Sequence, residues 1–182
     1  MKRGARLAVL LAALAVLIGA WVLAQTLSGR RETALAEHAH EEPMSLAVGP
    51  AEEVNALSWN YFGDAVNLKK DGDAWVNAED GACPIDSDAV APLVEAVATT
   101  SAAGVIEDVT DFDQYGLADP AFAVMAATAD KVMTYYIGDS NPAGVWYVRL
   151  EGEDKVYLEN GTLAGRFQIG LDDVLALESI DI

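Results

Sequence analysis

The chain has 182 residues, with 11 Lys and Arg against 29 Asp and Glu and a formal net charge of −18. That length allows one domain with an appendage, and the acidic excess excludes nucleic acid and anionic lipid surfaces as partners, because both would repel the chain before any specific contact formed. A single cysteine, Cys83, excludes an intramolecular disulfide framework and a zinc site built from several thiolates, so a hydrophobic core must hold the fold.

Lys2, Arg3 and Arg6 precede LAVLLAALAVLIGAWVLA, Leu7 to Ala24, eighteen residues without a charge. As a helix this run is about 27 Å long, close to the roughly 30 Å of a hydrocarbon core. Leu7, Leu11, Leu14, Leu17, Ile18 and Ala24 are expected inside the bilayer, and Trp21 falls where an interfacial anchor belongs. A cleaved signal peptide ending at Val22-Leu23-Ala24 is the competing reading, but signal cores run to only about 7–15 residues, and the length favours an uncleaved anchor. No cysteine directly follows the run to accept a lipid. The basic flank outweighs Arg30 and Arg31, so the N-terminus is expected in the cytoplasm and the rest of the chain outside the cell membrane.

All 29 acidic residues lie beyond Arg31, where only Lys69, Lys70, Lys131, Arg149, Lys155 and Arg166 oppose them. A solvated acidic surface accounts for this. The expected organisation is a membrane segment with its flanks over 1–31, a juxtamembrane linker over 32–51, and an extracytoplasmic domain over 52–182. The linker holds the chain's two histidines, His38 and His40, beside Glu41 and Glu42. Imidazoles two apart beside carboxylates have the make-up of a metal site, yet the cluster is short and a solvated juxtamembrane spacer is the favoured reading, so neither metal nor cofactor is expected.

Beyond Glu52 the hydrophobic period is that of strands. Leu57, Trp59 and Tyr61 share one face of a strand over Val54 to Phe62. Gly63-Asp64 turns the chain into a second strand with Val66 and Leu68, and Asp71-Gly72 turns it into a third over Ala74 to Asn77, which carries Trp75. The period then changes. Asp86-Ser87-Asp88 supplies N-cap oxygens, and Val90, Leu93, Val94, Val97, Ala98 and Ser101 follow at spacings of three and four, predicting a helix ending near Gly104 with Pro92 in its first turns. Strands are predicted at Val105 to Val109, Phe122 to Thr128, Val132 to Ile137, Val145 to Leu150 and Val156 to Leu158. A helical turn is predicted within Asp111 to Pro120 and short helices around Leu163–Phe167 and Leu171–Leu175. The fold class is α+β, one N-terminal transmembrane helix followed by a mostly antiparallel sheet with one main helix. Both halves read as strands followed by a helix, which hints at duplication.

Trp59, the run Asp71-Gly72-Asp73-Ala74-Trp75, Pro84-Ile85-Asp86, Val105-Ile106-Glu107-Asp108, Tyr115-Gly116-Leu117 with Asp119-Pro120, Tyr136-Ile137-Gly138-Asp139, Trp146-Tyr147-Val148 and Val156-Tyr157-Leu158 occur in this order. In these segments the chain resembles the bacterial domain-of-unknown-function family 4340 (DUF4340), over about Val54 to Leu175. Tyr-Gly-Leu-x-x-Pro ahead of Ile-Gly-Asp is the most telling part. Gly116 and Gly138 suit positive-φ turns and Pro120 a strand edge, which makes them fold signatures. The resemblance implies a membrane-tethered outer domain, some relatives being associated with auxiliary parts of ABC-type transport or gliding systems.

Catalytic sets are hard to assemble from these residues. No histidine follows His40, which excludes Ser-His-Asp and Cys-His constellations from the outer domain. Cys83 lies in a glycine-bearing loop and reads as an inert thiol. Asp86/Asp88, Asp111/Asp113 and Asp172/Asp173 each sit at an expected helix start, where capping explains an acid. Asp71-Gly72-Asp73 has the opening of a calcium loop without its later ligands. Trp59, Trp75, Trp146 and Tyr147 read first as packing residues and, where they share an exposed face, as the candidate binding patch. The expected function is therefore a non-catalytic interaction or accessory domain of the bacterial envelope. The alternatives are an acidic module binding a ligand or divalent cation, and a carboxylate-dependent envelope hydrolase.

Overall fold

The computed structural model describes residues 43–176 apart from Phe62. The expected membrane run Leu7–Ala24 and the histidine cluster lie outside the described residues. Among the described residues no helix is long and apolar enough to cross a membrane.

Nine strands form one sheet: β1 (Met44–Ser45), β2 (Ala56–Tyr61), β3 (Asp64–Asp71), β4 (Ala74–Asn77), β5 (Ser101–Ile106), β6 (Phe122–Ala127), β7 (Val132–Ser140), β8 (Trp146–Leu150) and β9 (Val156–Glu159). Their spatial order is β1-β5-β9-β8-β7-β6-β2-β3-β4, and every pairing is antiparallel. The expected hairpins form as read, β2 pairing with β3 through Trp59↔Val66 and β3 with β4 through Lys70↔Trp75. The two halves of the chain merge where β2 pairs with β6, Trp59 opposite Val124.

Helix α1 (Ser87–Thr99) starts as its sequence demands, the Asp86 side chain accepting the Asp88 N–H at 2.9 Å. Val90, Leu93, Val94 and Val97 are its buried stripe. Pro92 is the sixth helical residue, so the lost bond leaves the carbonyl of the exposed Asp88 to solvent. The helix stops at Thr99, short of the expected Gly104. Ser101 and Gly104 belong to β5, because pairing with β1 and β9 captures that segment as a strand. β5 in turn ends at Ile106, before the expected Val109. Asp108 turns the chain with φ of 53°, and the Val109 N–H goes to the Asp154 carbonyl. Helix α2 (Thr162–Arg166) and a 3-10 turn at Leu171–Val174 close the domain.

The folded unit begins earlier than expected. Within the stretch read as linker, Met44 and Ser45 pair with Ala102 and Ser101, and Leu46 and Val48 are buried. Their N–H groups donate to the carbonyls of Thr100 and Val97. Met44, Leu46 and Val48, between Pro43 and Pro50, make an alternation too short to read as a strand, yet burial of Leu46 and Val48 joins this segment to the domain.

α1, α2 and the C-terminal turn cover one face of the sheet and enclose the main core, which includes Leu57, Trp59, Trp75, Val124, Tyr135, Ile137, Val148, Leu163 and Phe167. A second, smaller cluster of Val109, Leu117 and Val156 forms where residues 107–120 fold over Ile106, Tyr136 and Tyr147.

Candidate interaction surface

The four residues of the candidate patch do not share a surface. Trp59 is 2% exposed and Trp75 6%. The Trp59 ring meets Phe167 edge-on at 5.4 Å, and its Nε1–H donates to the Ile169 carbonyl at 2.8 Å. This indole therefore ties the C-terminal segment to β2. Trp146 and Tyr147 are successive residues of β8, so they point to opposite faces. Trp146 packs against the main core and Tyr147 against the smaller cluster. Strand alternation thus divides the expected patch, leaving Tyr147 alone on the outer face.

Around Tyr147 the structure assembles a different set. Arg149 lies two residues along β8, hence on the same face, and is opposite Tyr136 of β7. Residues 107–120 bring Phe112 and Tyr115 over them. The Arg149 guanidinium sits 4.4 Å from the Phe112 ring centre, and Tyr115 meets Tyr147 edge-on at 5.1 Å. Arg149 Nε–H donates to the Glu153 carbonyl at 3.1 Å, which fixes the guanidinium in its stacked pose. Phe112, Tyr115, Tyr136, Tyr147 and Arg149 are all half-buried, in contrast to the buried aromatics of the main core. A period of two from Tyr147 to Arg149 was available in the sequence; the arrival of Phe112 and Tyr115 was not.

The Tyr-Gly-Leu and Ile-Gly-Asp segments of the resemblance meet beneath this surface. Gly116 takes φ of 67° to end the 3-10 turn at Asp113–Tyr115. A Cβ there would lie 2.6 Å from Asp139 Cγ, and one at Gly138 would collide with the Tyr115 carbonyl and lie 2.9 Å from Leu117 Cγ. Gly138 sits within β7, not in the positive-φ turn expected of it. Its role is close approach: the loop reaches the sheet only where both partners lack a side chain.

Beside this surface, Lys155 and Glu107 form an ion pair at 2.9 Å. The hydrogen bond to Lys155, then its charge, holds the Glu107 carboxyl below the usual range, and the same contacts raise Lys155. The Tyr157 hydroxyl donates to the Glu153 carboxylate. Burial, and next that hydrogen bond, push the Tyr157 phenol well above its ordinary value.

One acid of each carboxylate pair accepts a backbone N–H at a helical start. Asp111 accepts the Asp113 N–H at 3.1 Å and Asp173 the Gly170 N–H at 2.9 Å, as Asp86 does at α1. Gly72 makes its turn with φ of 64°, and no group of three metal-ligating side chains gathers among the described residues, at Asp71-Gly72-Asp73 or elsewhere. Cys83 is a half-buried free thiol whose N–H donates to the Asp80 carbonyl. One acid escaped the sequence reading altogether. Glu159, the last residue of β9, is fully buried and accepts the N–H groups of Gly161 at 2.8 Å and Leu163 at 3.1 Å. A lone Glu between a strand and a Gly-Thr turn carries no signal of burial in its neighbours.

No curated protein and no solved structure matches the chain. The model of one family does match, over residues 75–176, a span from Trp75 on β4 to the end of the C-terminal turn that includes the whole of the Phe112–Arg149 surface. With more than half of its length matched, the chain belongs to the family described as domain of unknown function DUF4340.

Proposed function

We propose that this protein is a membrane-tethered, extracytoplasmic and non-catalytic module that binds a protein partner of the envelope, of the kind found in ABC-type transport systems. One observation supports the binding half above all: the half-buried strip of Phe112, Tyr115, Tyr136 and Tyr147 around a stacked Arg149. Tyrosine and arginine are the residue types in which interface energy concentrates, because they offer large rigid contact area with a polar end. The strip lies on the outer face of β7 and β8, away from the core that stabilises the domain. The tether rests on Lys2, Arg3 and Arg6 ahead of the apolar run Leu7–Ala24. With no histidine after His40, the folded unit has no imidazole to activate a serine or the Cys83 thiol.

The test is an affinity capture of tagged full-length protein from gently solubilised native membranes, with the mature N-terminus read in the same run. Transporter subunits recovered with the Leu7–Ala24 segment intact are the expected result. Arg149→Ala and Tyr147→Ala should each weaken that capture by about 30-fold, the effect of a hot-spot side chain worth roughly 2 kcal/mol. A cut after Ala24 would overturn the tether, and undiminished capture by both variants would overturn the assignment of the surface.

A further inference from the structure

We propose that Asn160 is an acceptor for an N-linked saccharide. The site rests on the extracytoplasmic reading above, since saccharide donors of this class are used on exported chains. Asn160-Gly161-Thr162 has the Asn-x-Thr order of an acceptor with a residue other than proline in the middle, and no other Asn in the chain has Ser or Thr two residues on.

The fold presents this triplet outward. β9 ends at Glu159, whose carboxylate is buried and takes the N–H groups of Gly161 and Leu163. Asn160 follows it, and strand alternation sends its side chain to the opposite side, where it is exposed. Gly161 then turns the chain with φ of 90°. The turn brings the Thr162 hydroxyl to the Asn160 carboxamide oxygen at 2.8 Å and the Thr162 N–H to the same oxygen at 3.2 Å. Both interactions hold the Asn160 carboxamide by its oxygen, and neither uses Nδ2. A Cβ at Gly161 would lie 3.3 Å from the Trp146 ring, so protein fills that side of the turn, while Asn160 is exposed.

The donor is a polyprenyl-pyrophosphate-linked oligosaccharide. Asn160 Nδ2 attacks its anomeric carbon, the C–O bond to pyrophosphate breaks, polyprenyl pyrophosphate leaves, and one Nδ2 proton passes to a base of the transferase. No redox change is involved.

Lys155 and Arg166 flank the site, so trypsin releases it as the single peptide Val156–Arg166. The experiment is mass spectrometry of that peptide from full-length protein isolated from the membranes of the cells that make it, before and after enzymatic deglycosylation. Protease accessibility of the domain in intact cells is measured alongside. The expected result is a saccharide mass on Asn160 that deglycosylation removes, leaving aspartate. Asn160→Gln and Thr162→Ala should abolish it, and Thr162→Ser should retain it. An unmodified peptide from a protease-accessible domain overturns the acceptor while leaving export intact. Aspartate without a saccharide in the untreated sample also overturns it, since an Asn-Gly pair deamidates unaided. A domain sealed inside the cell overturns export and the acceptor together.

Discussion

The Tyr135 hydroxyl donates to the Leu46 carbonyl at 2.7 Å, a buried bond between residues 89 positions apart. It joins the segment entering the domain to the central strand β7, and both side chains are buried in the main core. Tyr135→Phe keeps the ring and leaves the carbonyl without its donor, so a loss of about 1–3 kcal/mol is expected. Leu46→Ala empties core volume and should cost about 2–5 kcal/mol. Urea unfolding of both variants measures this, and a wild-type midpoint for Leu46→Ala would show that the segment before β2 is outside the cooperative unit.

Stability at alkaline pH follows from the same tyrosine. Burial raises the Tyr135 phenol far above its ordinary value of 10.0, and burial together with Glu153 does so for Tyr157. Folded-state values above the unfolded one mean that the stabilisation is complete below about pH 10 and declines as pH rises beyond it. Melting temperature against pH should therefore fall above pH 10, with a shallower fall in Tyr135→Phe. A spectrophotometric titration should find both phenols ionising only as the domain unfolds.

Gly138→Ala tests the contact between the loop and β7. Its methyl would collide with the Tyr115 carbonyl, and overpacking of this kind costs about 1–3 kcal/mol. Circular dichroism should show a lower melting temperature, and capture of the partner should weaken because Tyr115 and Phe112 are displaced. Gly116→Ala should be no milder, since it combines φ of 67° with crowding against Asp139.

Two buried polar side chains should answer substitution in opposite ways. Glu159 uses both carboxylate oxygens, one on Gly161 and one on Leu163. Glu159→Gln turns an amide donor toward a backbone N–H, and a loss of about 1–3 kcal/mol is expected. The Thr100 hydroxyl, at the junction of α1 and β5, is the one buried side-chain oxygen without a partner among the described residues. Thr100→Val removes that group at constant shape and should be neutral or stabilising. Denaturant midpoints of the pair decide it, and parallel destabilisation would contradict the bonding described.

Local pattern alone determined a good deal of this protein. The hairpins of β2 to β4, the α1 start at Asp86 and the strands from Phe122 to Leu158 were legible because alternation, turn glycines and caps act over a few residues. So were the acidic surface and the apolar run at Leu7–Ala24, which are matters of composition. Tertiary structure decided what depends on partners distant in the chain. It recruited Met44 to Val48 into the domain, ended α1 at Thr99 to give Ser101 to β5, and buried Glu159. It also sent Trp59 and Trp75 into the core and built the outer surface from Arg149 with Phe112, whose ring a loop carries over the sheet. Side-chain periodicity tells which residues share a face; only the helices packed on one side of the sheet and the loop packed against Gly138 on the other decide which residues stay open to solvent.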